Sequence, residues 1–90
     1  MSALQRSVQV TNRRGLHARA SAKFVNTVHE LAADVEVEKD GNRVTGTSIM
    51  GLMMLGAAMG DTIVIHCSGD GAEEAMAELV ELVETKFGEE

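Results

Sequence analysis

Residues Ser7 to Thr11 alternate, with Val8 and Val10 on one face and polar side chains on the other, the period-two pattern of a strand. Asn12 to Gly15 breaks the alternation as a turn. From Ala18 to about Leu31 the apolar positions Ala18, Ala22, Val25 and Val28 or His29 recur at helical spacing, with Phe24 and Leu31 beside the stripe. That spacing predicts an amphipathic helix lying on a flat apolar surface. Alternation returns over Ala33 to Lys39, with Val35 and Val37 inward and Glu36 and Glu38 outward. Asp40-Gly41 is a hairpin signal, because a tight turn needs positive φ at such residues, so Asn42 to Gly46 is predicted as an antiparallel return strand.

Thr47 or Ser48 offers an N-cap hydroxyl to a brief helix, SIMGLMML, that ends around Gly56. Thr62 to Cys67 is a β-branched strand and Ser68 to Gly71 a turn. A last helix carries Glu73 and Glu74 in its first turn, where carboxylates favour the positive end of the dipole. Its stripe is Ala72, Ala75, Met76, Leu79, Leu82 and Val83. The order β-α-β-β-α-β-α contains a tight hairpin, which a βαβαβ parallel stack does not accommodate. The expected fold is α+β: an open-faced β-sandwich, a four-stranded antiparallel sheet with three helices on one face.

Composition narrows this further. The 90 residues suit one domain, 1–90, with a core of Val, Leu, Ile, Ala and Met, since two Phe are its only aromatics. The single Cys67 leaves no internal disulfide framework or thiolate cluster. No apolar run approaches a membrane span, and MSALQRSVQV lacks the apolar stretch of a signal peptide, so a cytoplasmic setting without membrane insertion is expected. A net charge of −6 argues against nucleic acid as the partner. Charge is nevertheless uneven: Arg13, Arg14, Arg19 and Lys23 lie close to His17, while acidic residues gather after Asp70 and at Glu89-Glu90. The cationic cluster reads either as solvated surface or as a place for an anion or an acidic partner.

His17 stands at the mouth of the first helix, where N–H groups lack intrahelical acceptors and the dipole is positive. Such a mouth binds phosphate or carboxylate, Arg19 could add a bidentate contact, and Gly15 would turn the chain and keep the imidazole open to approach. A neutral imidazole there is also a nucleophile whose phosphorylated product the donors would stabilise. Taken alone, the same arrangement is more often a structural cap. Elsewhere, His29 reads as a surface or edge residue. His66 and Cys67, adjacent in a strand, point to opposite faces and do not readily chelate one ion, so no metal or other cofactor is assigned. Cys67 itself reads as a small buried hydrophobe.

The string Gly15-Leu16-His17-Ala18-Arg19 resembles the active-site signature of the HPr family, the histidine-containing phosphocarriers of the phosphoenolpyruvate phosphotransferase system. Ser48-Ile49-Met50-Gly51-Leu52, followed by Leu55-Gly56, is similar to the second signature of that family, around its regulatory serine. The resemblance implies that His17 accepts a phosphoryl group on Nδ1 from phosphorylated Enzyme I and passes it to an EIIA-type protein. It implies that Arg19 steadies the phosphate, that Ser48 is phosphorylated by an HPr kinase, and that Ile49, Met50 and Met53 form an exposed docking patch. The chain would then be a stoichiometric carrier rather than an enzyme, and is expected to be monomeric. From the residues alone, a Met-rich helix reads as core or as interface; Leu52 and Leu55 can fill the core while Met50 and Met53 face outward. The competing reading is a regulatory docking module on the same fold that transfers nothing.

The pattern has departures. Ala20 stands where the family usually has proline, which a first helical turn tolerates equally. Thr47 and Gly51 replace lysines common in sugar-uptake members. The Asn-x-x-Gly lead-in, the Met-rich helix and the acidic C-terminal end make the chain look more like the nitrogen-branch (NPr-like) or alphaproteobacterial type.

Overall fold

A computed structural model describes residues 3–89; Met1, Ser2 and Glu90, the last part of the acidic end noted above, lie outside it. The chain runs β1 (Ala3–Gln9), α1 (Ala18–His29), β2 (Asp34–Lys39), β3 (Asn42–Thr45), α2 (Ile49–Met54), β4 (Thr62–Ser68) and α3 (Ala72–Glu84), then a 3₁₀ turn over Lys86–Gly88. All pairings are antiparallel and the sheet order is β1-β4-β2-β3, so the last strand slots between the first two. This is the expected α+β open-faced sandwich.

Alternation decides which side of the sheet is covered. Val8, Val35, Val37, Ile63, Ile65 and Cys67 are buried, while their neighbours Glu36, Thr62, Val64 and His66 are not. The β2–β3 hairpin turns at Asp40 (φ 52°) and Gly41 (φ 83°), the two positive angles of a type I′ turn. The first strand differs from expectation: it begins at Ala3, and Val10 leaves the ladder. Val10 pairs instead with the loop before β4, its N–H donating to Asp61 O at 2.8 Å and its carbonyl accepting from Gly60 N at 2.7 Å. Gln5 and Arg6 in that early segment hide the pattern, and polar side chains are what an edge strand carries.

The buried stripe of α1 is Ala20, Ser21, Phe24, Val25 and Val28, rotated from the expected one: Ala18 is exposed and Ala22 only half-buried. The bulk of Phe24 sets the orientation, and Ser21 tolerates burial because its Oγ donates to Leu16 O at 3.1 Å. In α3 the stripe includes Val80, and Leu82 packs at its margin. The 3₁₀ turn is absent from the expected elements. It places Phe87 fully in the core, with Lys86 and Phe87 both at positive φ (60° and 55°). Burying a phenyl ring stabilises by roughly 1.5–3 kcal/mol, which offsets much of the roughly 2–4 kcal/mol that two non-glycine residues cost in that region.

Candidate functional site

Gly15 starts the site. Its φ of +63° suits glycine, and a Cβ there would lie 2.2 Å from Ala57 O. The glycine therefore serves the turn and the close approach of two backbones. Leu16 N donates to that same Ala57 carbonyl at 3.0 Å, tying the loop to the segment just after α2. Asn12, fully buried, closes the loop: its Nδ2 donates to Gly15 O at 2.8 Å and its backbone carbonyl accepts from Gly15 N at 3.2 Å.

His17 is the N-cap of α1, in extended backbone (φ −74°, ψ −178°). Its carbonyl accepts the first helical bond, from Ser21 N at 2.9 Å, and its Nδ1 accepts from the Arg19 backbone N–H at 3.3 Å. A histidine has taken the place usually held by Ser, Thr or Asp. Its other nitrogen, Nε2, pairs with the Glu89 carboxylate, and the two side chains are 14% and 15% exposed. Glu89 Oε1 also accepts from Asn12 Nδ2 at 3.0 Å.

Burial by itself would raise the Glu89 pKa, but hydrogen bonds from His17 and Asn12 and the charges of His17 and Arg19 outweigh it and hold the carboxyl below its ordinary 4.5. A depressed folded-state pKa means that the contact stabilises the fold above the ordinary value. That contribution is lost as the pH falls through the lower, folded-state value. Arg13, Arg14, His17, Arg19, Lys23, Gly88 and Glu89 line one surface depression, so the cationic cluster does assemble around the imidazole. Glu89 and Asn12 were missed as parts of it. No local signal marks Glu89, which lies 72 residues away in sequence, and Asn12 reads merely as a turn residue.

Ser48 caps α2, its Oγ accepting from Gly51 N at 2.9 Å. Leu52 and Leu55 are buried, while Ile49, Met50 and Met53 are 41%, 70% and 42% exposed, joined by Met54 and Met59. The Met-rich segment thus splits as the outward reading requires. His29 is exposed. His66 Nε2 pairs with Glu38 Oε1 at 2.8 Å on the sheet face opposite the helices, while Cys67 is buried, its thiol pKa pushed up by that burial.

The family described as "PTS HPr component phosphorylation site" matches residues 4–85. The phosphocarrier protein HPr of Neisseria meningitidis serogroup A is 46% identical over 86 residues, covering 96% of this chain and 97% of the relative. The phosphocarrier protein NPr of Shewanella violacea is 35% identical, covering 99% and 98%. The crystal structure of HPr-C-His from Thermoanaerobacter tengcongensis superposes with a TM-score of 0.90 at 42% identity, covering 100% of this chain and 99% of that one. The chain belongs to the HPr family of phosphocarriers of the bacterial phosphotransferase system.

Proposed function

We propose that the chain, as one domain in the cytoplasm, takes a phosphoryl group from phosphorylated Enzyme I on His17 Nδ1 and hands it to an EIIA-type protein. The observation that carries this reading is the placement of His17: an N-cap imidazole whose Nδ1 accepts from the first-turn N–H of Arg19, in a depression lined by Arg13, Arg14, Arg19 and Lys23. The Nδ1 lone pair attacks phosphorus as the donor's bond to it breaks. The phosphoryl oxygens then meet backbone donors and the positive end of the helix. Incubation with Enzyme I and phosphoenolpyruvate should add one phosphoryl mass, acid-labile and base-stable, and Enzyme I paralogues of the sugar and nitrogen branches should differ in rate. No mass gain with any of them overturns the proposal.

Arg19 is assigned the developing phosphoryl charge. Removing such a group costs about 2–4 kcal/mol in comparable roles, so Arg19→Ala should slow transfer by roughly one to three orders of magnitude without preventing it. Quenched-flow kinetics indistinguishable from wild type would leave Arg19 as a surface charge.

Ser48 is proposed as both cap and switch, with Ile49, Met50 and Met53 as the docking patch. Aspartate caps as well as serine and favours the dipole, so Ser48→Asp should keep the melting temperature. The new carboxylate stands next to that patch and should weaken docking of an acidic partner. The loss should shrink with salt, since the Debye length is about 10 Å at 0.1 M. Equal transfer rates at low salt would reduce Ser48 to a cap.

A further inference from the structure

Glu89 reaches His17 through a set of contacts that fixes where its carboxylate stands. Phe87, fully buried, anchors the 3₁₀ turn, and Lys23 Nζ donates to the Phe87 carbonyl at 2.7 Å. Asn12 Nδ2 then holds Glu89 Oε1 at 3.0 Å, leaving Oε2 for His17 Nε2. An ionised carboxylate only accepts hydrogen bonds, and the depressed pKa keeps this one ionised, so Nε2 must carry the hydrogen. On the far edge of the ring the Arg19 backbone N–H, which only donates, points at Nδ1 from 3.3 Å, so Nδ1 must carry the lone pair. Both neighbours demand the same tautomer.

We propose that Glu89 is the positioning residue of the phosphoryl acceptor: it holds His17 as the Nε2–H tautomer with Nδ1 open to phosphorus, and balances the ring's charge once Nδ1 is phosphorylated. The second half rests on the carrier reading of His17; the tautomer half does not. In the transfer the Nδ1 electron pair forms the new N–P bond, and the pair of the donor's broken bond stays with the donor. The Nε2 proton stays on the ring, which becomes cationic. The other charged side chains lining the depression are Arg13, Arg14, Arg19 and Lys23, all cations, so within that lining the balancing charge comes from Glu89.

The test uses the full chain with ¹⁵N-labelled histidine. At a pH where the ring is neutral, wild-type His17 should show a protonated Nε2 and an unprotonated Nδ1, with exposed His29 as internal reference. In Glu89→Ala those two ring signals should converge toward a tautomer mixture, with the amide fingerprint otherwise kept. Phosphoryl uptake at saturating Enzyme I should fall about ten-fold while the concentration for half-maximal rate does not rise. Glu89→Gln, whose carbonyl still accepts from Nε2 but carries no charge, should keep the wild-type tautomer and recover only part of the rate.

An unchanged ring pattern in Glu89→Ala overturns the tautomer assignment. A wild-type rate in Glu89→Gln overturns the charge-balancing role. If wild type takes up no phosphoryl group, the carrier reading and the charge-balancing half fall together, and the ring spectra still decide the tautomer half.

Discussion

His17→Ala is expected to abolish phosphoryl uptake from Enzyme I while leaving a folded protein. The side chain makes a cap contact with the Arg19 N–H and a hydrogen bond with Glu89, but the first helical bond, Ser21 N to His17 O, belongs to the backbone and survives. Losing an N-cap side chain costs on the order of 1 kcal/mol. In a domain of this size that lowers the melting temperature by roughly 4–8 °C. Intact mass after incubation with Enzyme I and phosphoenolpyruvate reads the first effect and a thermal melt the second. The other two histidines do not offer the same chemistry: His29 is exposed at the end of α1, and His66 pairs with Glu38 on the far face of the sheet. Acid-labile uptake by the variant would move the acceptor away from the helix mouth.

The helix mouth itself was legible because its causes are local. A glycine turn, a histidine and an alanine-rich amphipathic run place His17 at an N-terminus whatever the rest of the chain does. The Asp40-Gly41 hairpin and the Ser48 cap are legible for the same reason, since each is set within a few residues. What stayed hidden depends on distant partners. Alanine carries little information about burial, so three alanines could not orient α1; Phe24 did so by fitting the core, and Ser21 followed because Leu16 O could accept its hydroxyl. The segment Lys86-Phe87-Gly88-Glu89 has no periodicity and uses positive φ at two non-glycine residues, which local preference disfavours. Only the finished core supplies the slot for Phe87, and only that slot delivers Glu89 to His17.

Gly15→Ala should be the most destabilising single-methyl change near the site. The left-handed conformation costs an L-residue about 1–2 kcal/mol, and forcing a methyl into a filled space adds about 1–3. Here the methyl would lie 2.2 Å from Ala57 O and 2.9 Å from Ala58 Cα, both backbone atoms. The two segments must separate, which lengthens the Leu16 N to Ala57 O bond and lifts buried Leu16 beside the histidine. A total of about 2–5 kcal/mol corresponds to a fall in melting temperature of roughly 8–40 °C. Phosphoryl uptake should fall as well, since a displacement of about 1 Å at a reacting group can cost around 100-fold in rate. Gly56→Ala supplies the control: it has the same positive φ, +67°, but its added Cβ meets nothing within 4 Å. It should lose only the conformational part, about 1–2 kcal/mol, and keep its transfer rate. Equal melting losses in the two variants would mean that the Ala57 segment yields freely, and that the loop before His17 is not held against it.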